Sequence, residues 1–255
     1  MPNREEWKPE IQEVNYDAGR SMSTYAPFDL RMQDFPRPFI NGIFFNVRLV
    51  EMRIVQTVRL VNKKFEYCLA VYKDIMNQGC AILDHPEPGF LVSNPSSIHE
   101  YKIECESIIF QMRRVLDSLV QLTSILVDPH RFDKRKIVHF DSVGKIIHKG
   151  KEAGEVGKII LGDGFYLEDS SNFIEITNDL FNGYKHTLIN DEAFGLVGEE
   201  LMTMVGYSVK HSNYNQVIQY HNHNSYHIMM GFEDCVRRVL VNQNKYLEKS
   251  CKADL

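Results

Sequence analysis

The sequence predicts a mainly α protein: an antiparallel helical bundle with an irregular N-terminal arm and a small β-hairpin insertion. Three observations predict it. Neither Gly nor Pro occurs from Ile43 to Gln78, and apolar Ile54, Val58, Val61, Phe65, Cys68, Tyr72 and Ile75 recur there in a 4-3-4-3 alternation. That spacing lines one side of a long helix. A second stripe, formed by Ile108, Met112, Val115, Leu116, Leu119, Leu122 and Leu126, follows the box Ser97-Ile98-His99-Glu100. A Ser three residues before a Glu opens a helix by capping its free N–H groups. Around Glu200–Tyr220 the pattern turns less helical and surrounds His211-Ser212-Asn213-Tyr214-Asn215, which is turn chemistry between two strands.

Composition sets the outer limits. The chain has 255 residues, 44% hydrophobic and 25% charged, enough to bury a sizeable core without a disulfide or metal staple. A net charge of −5 excludes a uniformly basic nucleic-acid binder and leaves room for a local basic patch. No run of 18 apolar residues occurs, so no membrane span and no membrane partner are expected. The charged start, Met1 to Glu6, lacks the apolar core of a signal peptide. Five cysteines, at 68, 80, 105, 235 and 251, include no C-x-x-C pair. Scattered thiols of this kind indicate a reducing, cytoplasmic setting and no zinc ribbon.

In chain order, residues 1–46 form the arm, punctuated by Pro2, Pro9, Pro27, Pro36 and Pro38. Its aromatics, among them Tyr16, Tyr25, Phe28 and Phe35, are too numerous for a disordered tail and should lie over the body. Residues 47–255 form the bundle domain. The first long helix, 48–78, should stop at Gly79, and a helix of about 30 residues spans roughly 45 Å. Asp84–Pro95 is expected to be a loop. The second long helix, 98–127, should end at Asp128-Pro129 and lie antiparallel to the first. A short helix is expected near Asp141–His148, and a glycine-rich loop over 150–168 with a strand at Lys158–Leu161. Ser170 or Ser171 should cap a third helix bearing Phe173, Ile176, Leu180 and Tyr184. A last helix, near Asn224–Lys249, should turn Ile228, Phe232, Cys235, Val239 and Leu240 inward.

Several common chemistries lack their signatures. There is no G-x-x-x-x-G-K-[ST], no G-x-G-x-x-G after a strand, no H-E-x-x-H and no G-x-S-x-G. The third helix holds the first positive feature, Asn182 and His186 four residues apart with Lys185 beside them. A His there can shuttle protons near neutral pH, or simply complement the C-terminal end of the helix dipole. His221, His223 and His227 form a second group. If a helix starts near 223, His223 and His227 share a face; the expectation is nonetheless solvated histidines and no metal. Residues 130–151 carry Arg131, Lys134, Arg135, Lys136, Lys145, Lys149 and Lys151 against Asp133 and Asp141, a sum of +5. Residues 152–200 carry eleven acidic residues and only two lysines. This asymmetry suits phosphate-backbone binding, and equally an ordinary charged surface. On the second helix, Arg113, Arg114 and Asp117 form either a surface ion pair or a polar site facing His186.

A helix carrying Glu104, Glu106, Arg113, Arg114 and Asp117, followed by a helix ending Asn182-x-x-Lys185-His186, resembles HEPN-like domains of prokaryotic proteins. The resemblance covers the layout of roughly residues 48–250. It implies a helical bundle, a homodimer with the His186 helix near its axis, and RNA as the partner. It also implies a place in a toxin–antitoxin or phage-defence module beside a partner protein, and metal-independent ribonuclease activity with no cofactor. The family signature sets an Arg, then four to six intervening residues, then a His. Here the matching positions hold Asp179, Leu180 and Phe181, while Asn182 fills the polar position. The resemblance therefore implies His186 as general acid or base, with Lys185, Arg113 or Arg114 stabilising the phosphorane charge. Arg131, Lys134, Arg135, Lys136 and Lys145 would hold the RNA. The alternative it leaves is a non-catalytic scaffold that keeps the bundle.

Overall fold

The computed structural model describes residues 10–20, 24–37, 44–77, 81–82, 91–92, 95–135, 137–188, 201–210, 213–214 and 216–253. It is mainly helical with a small sheet. The helices are α1 (Phe44–Asn77), α2 (Pro95–Val127), α3 (Pro129–Arg135), α4 (Val143–Lys149), α5 (Gly154–Leu161), α6 (Phe173–His186) and α7 (Ser225–Ala253). The strands are β1 (Ile11–Val14), β2 (Ala81–Ile82), β3 (Leu91–Val92), β4 (Thr203–Ser208) and β5 (Ile218–Asn224).

The pairing of α1 with α2 is the spine. Every member of both predicted stripes is buried. The cross-links run in opposite order along the two helices: Arg53 meets Gln121, Lys64 meets Glu104, and Tyr72 packs on Tyr101. Rising numbers on α1 meet falling numbers on α2, so the pair is antiparallel. Cys68 and Cys105 face each other there as thiols, with sulfurs 3.8 Å apart.

The predicted hairpin is β4 and β5, antiparallel, with Thr203 opposite Asn224 and Ser208 opposite Gln219. The arm supplies a third strand, giving the order β1-β5-β4. β1 runs parallel to β5, and Ile11 aligns with Ile218. The rest of the arm is pinned by a buried amide on α1. Asn62 accepts from the Tyr25 hydroxyl (2.8 Å) and donates to the Phe28 carbonyl (2.9 Å). Asn242 of α7 does the same for the segment after α5, bonding Leu167 N and the carbonyls of Ile159 and Leu167. Irregular backbone needs such partners, because a buried unpaired amide costs about 1–3 kcal/mol.

Several local expectations are corrected. Lys158–Leu161 is helical, not a strand. Val156, Ile159 and Ile160 turn inward on α5, and an apolar run is compatible with either a strand or a buried helix. Within Asp84–Pro95, taken as a loop, β3 pairs with β2. α2 begins at Pro95, where a missing N–H costs nothing, two residues before the Ser97 box. Neither Ser170 nor Ser171 caps α6. Its N-cap is Asn172, in a left-handed conformation (φ 55°), and the Asp169 carboxylate accepts from Ile174 N at 3.0 Å. Pro129 ends α2 and also starts α3. Gly79, Lys136, His211, Ser212 and Asn215 lie outside the described residues.

Phe65 is fully buried, with its ring 4.5 Å from Tyr25 and 5.7 Å from Tyr226. Phe65→Ala is expected to cost about 3–5 kcal/mol in urea unfolding, as a core truncation that also loosens the arm. A loss below about 1 kcal/mol would remove Phe65 from the core.

Candidate functional site

Two pockets flank α6, and helical geometry divides its side chains between them. At 3.6 residues per turn, Glu175, Asp179, Asn182 and His186 fall on one stripe. Asn178, Phe181 and Lys185 fall on another, about a quarter turn away. The first stripe lines an open cleft of about 930 Å³, closed by Glu10 just before β1, by Gln12 of β1 and by the ends of β4 and β5. The second stripe faces α2: Phe110 and Phe181 pack edge-on at 5.1 Å, and Arg113 donates to Asn178 Oδ1 at 2.8 Å.

Gly183 sets this rotation. A Cβ there would lie 2.4 Å from the Tyr207 carbonyl oxygen, so only glycine lets α6 cross β4 so closely. The neighbouring Tyr184 hydroxyl donates to the Val205 carbonyl at 2.8 Å and locks the crossing.

The residues proposed from sequence are thereby separated. Asn182 and His186 are exposed in the cleft together. Lys185 points elsewhere, its ammonium 5.9 Å from the Phe181 ring. Arg113 is buried on the far stripe, also over Phe181, with its Nε 3.1 Å from Asp117. Arg114 is exposed on the same side. The one link between the two sides is Asn178, which accepts from Arg113 and donates to the Asp179 carboxylate at 3.4 Å. Burial holds the Asp179 carboxyl above the usual range; the Asn178 bond works against this and the Glu175 charge adds to it. The cleft is acidic: Glu10, Glu175 and Asp179 stand against Lys210 and His186.

The basic segment divides as well. Lys134 and Arg135 are exposed in the last turn of α3. Arg131 is half-buried, and its Nε has no hydrogen-bond partner among the described residues. Lys145 is tied to Asp141 at 2.8 Å.

The condition for pairing His223 with His227, a helix starting near 223, is not met, because β5 runs through Asn224, and the expectation of solvated histidines is overturned at His221 and His223. In a strand, positions two apart share a face, so the partner of His223 is His221. Both are fully buried, with His221 Nδ1 3.0 Å from His223 Nε2. His227 lies on α7 near Asp17, at 3.3 Å. The proton positions of the buried pair follow from one fixed donor. Tyr16 N–H donates to His223 Nδ1 at 2.9 Å, so the His223 proton sits on Nε2. That proton points to His221 Nδ1, which puts the His221 proton on Nε2, directed at Ser208 Oγ at 2.8 Å. The Ser208 hydroxyl is then left to donate to Gln219 Oε1 at 3.1 Å.

Ser208 and Gln219 line the cleft, so this relay runs from the arm to the cleft wall. Its polarity opposes nucleophilic chemistry. His221 donates to Ser208 and cannot take its proton, and an inverted triad histidine costs about 10⁴-fold in rate. All four ring nitrogens of the pair are engaged by protein groups, which leaves none to ligate an ion. No protein-family model, curated protein or solved structure matches this chain.

Burial, with the His221 charge acting on His223, holds the two histidines down to about 4 and about 3 against an ordinary 6.5. The unfolded chain therefore binds these protons first as pH falls. Stability is full above about pH 6.5 and declines below it, by up to about 1.4 kcal/mol per histidine per pH unit. Glu51, Asp117 and Asp179, held up by burial, act in the opposite sense. Urea unfolding from pH 7.5 to 5 should show this decline, and it should shrink in His221→Leu. A profile that is flat in both proteins would mean the pair is not neutral.

Proposed function

We propose that the protein binds RNA, as its HEPN-like resemblance implies, within a prokaryotic stress or phage-defence module. The observation that carries this reading is a set of exposed cations on α2 and α3. Arg114, Lys134 and Arg135 are exposed there with no acidic partner among the described residues. Unneutralised surface cations gain affinity from releasing the counterions of a phosphate backbone. The strand runs over these cations and not through the cleft, whose three carboxylates repel phosphate.

Cleavage is at most feeble. His186 and Asn182 face the acidic cleft while Arg113, Arg114 and Lys185 lie a quarter turn away. A lost oxyanion donor typically costs about 100–1,000-fold. Binding without efficient cleavage is also what the scaffold alternative requires.

The homodimer expectation finds support on α1 in place of α6. Its outer face exposes Phe45, Leu49, Met52, Leu60 and Tyr67. With Gln56 and Lys63 these positions form one stripe along the helix, which an antiparallel second copy of α1 could cover across a two-fold axis. Light scattering of the wild type at tens of micromolar should give twice the chain mass, and Met52→Glu/Leu60→Glu should give the monomer. A monomeric wild type would remove the dimer.

RNA binding is tested by fluorescence anisotropy with a structured RNA at 50–200 mM salt. We expect affinity to fall steeply with salt. Lys134→Glu/Arg135→Glu should lower it about tenfold or more, and His186→Ala should leave it unchanged. Salt-independent or absent binding would sink the nucleic-acid reading.

A further inference from the structure

Between α2 and α6, away from the His186 cleft, lies a smaller pocket of about 230 Å³. Arg53 of α1 and Arg113 and Arg114 of α2 converge on it, with Phe110 and Phe181 as apolar walls. Three guanidinium groups share this small space, and like charges held close together repel one another.

Carboxylates do not cancel them. Asp117 stands by Arg113 and also accepts from Val143 N at 2.8 Å. Asp141 is occupied by Lys145. Arg53 has only the neutral Gln121 oxygen, at 2.8 Å, and Arg114 has no side-chain partner among the described residues. Two positive charges are therefore left over.

Donors are in surplus as well. Each guanidinium offers five N–H groups. The bonds to Gln121 and Asn178 use two of them; the Arg113 Nε lies 3.1 Å from Asp117 in an ion pair without hydrogen-bond geometry, and the buried Nε of Arg53 has no hydrogen-bond partner among the described residues. Arg113 is only 6% exposed, so its donors cannot turn to bulk water. Lys185, its ammonium 5.9 Å from the Phe181 ring, adds a further cation nearby. A ligand that fits this surplus carries negative charge, several acceptor oxygens and a flat apolar part for the phenylalanines.

We propose that this pocket is a nucleotide-phosphate site. Arg53, Arg113 and Arg114 grip one phosphate group, and the attached base rests against Phe110 and Phe181. The pocket is smaller than the 300–1,000 Å³ of whole-ligand sites, which suits one phosphate with the edge of a base, the rest lying outside. Guanidinium forks match phosphate oxygens two at a time, and with Arg113 already over the Phe181 ring the base edge makes apolar contact with the phenylalanine wall. The phosphate comes from an RNA strand, a source that rests on the RNA-binding reading; a free mononucleotide carries the same chemistry. Gln121 is a positioning residue, holding Arg53 while its own amide donates to the Asp141 carbonyl at 3.0 Å.

The test uses the full chain, a labelled single-stranded hexaribonucleotide and 5′-AMP. Arg53→Gln/Arg114→Gln removes the two uncompensated charges and keeps the buried Arg113. Thermal unfolding checks that this variant is folded, and Arg114→Gln alone, an exposed substitution, repeats the test without touching α1. We expect the wild type to bind the hexamer and AMP to compete. The double variant should bind at least tenfold more weakly, with a salt slope smaller by about 1–2. Hexamer binding unchanged in both variants would overturn the pocket and leave RNA binding intact elsewhere. AMP binding that the variants lose, with no hexamer binding by the wild type, would keep the pocket and overturn the RNA source. No binding of either probe would overturn both.

Discussion

The contact of Gly183 with the Tyr207 carbonyl governs the chemistry available to this molecule. A helix that must bring its backbone against a strand has little freedom of rotation. Once α6 is fixed in this way, Phe173, Thr177 and Leu180 face the core, Asp179 and His186 face one pocket, and Phe181 faces the other. The two outer faces then acquire opposite character from their neighbours. Strand ends and β1 bring carboxylates and amides to one. Helices α1 and α2 bring arginines to the other. Asn178, at the boundary, touches both an arginine and an aspartate and is the one polar bridge across.

The sheet is organised around polar atoms placed where a core would ordinarily be apolar. Burying two imidazoles costs free energy unless each nitrogen finds a partner. The single amide of Tyr16 satisfies the first nitrogen and thereby decides every proton position down to Gln219. A fully satisfied buried chain of this sort rigidifies and specifies its surroundings. The register of β1 on β5 is part of that specification, since a slip of one residue would carry Tyr16 N–H away from its acceptor.

Where a signal is periodic and local, the sequence was informative. Phe65 and Leu116 are where the 4-3 spacing puts them, and so are Phe232 and Val239 on the last helix. The stretch 150–161 was not legible in this way. Its glycines suggest a loop, yet Gly157 is needed because Ala153 packs 2.7 Å from where its Cβ would be, and the surrounding apolar residues close a helix. The histidine pair was misassigned because three residues of context do not tell a strand end from a helix start, and the two periods pair different neighbours. The meeting of Arg53 with Arg113 was illegible for another reason. Sixty residues separate the two, and only the antiparallel crossing of α1 and α2 brings them together. Ser208 and Gln219 carry no chemical signature at all until pairing sets them across from each other.

The parallel pairing of β1 with β5 joins positions 207 residues apart, Ile11 with Ile218. A ribosome moving along this message releases the edge strand long before its partner. During that interval the strand has an open side with nothing to bind. Its composition suits the wait: Gln12 and Glu13 interrupt the apolar positions and discourage pairing with other nascent chains. Closing so long a loop comes late in folding. Docking of the arm therefore needs the hairpin already in register, since the Tyr16 amide bonds His223 on the middle strand.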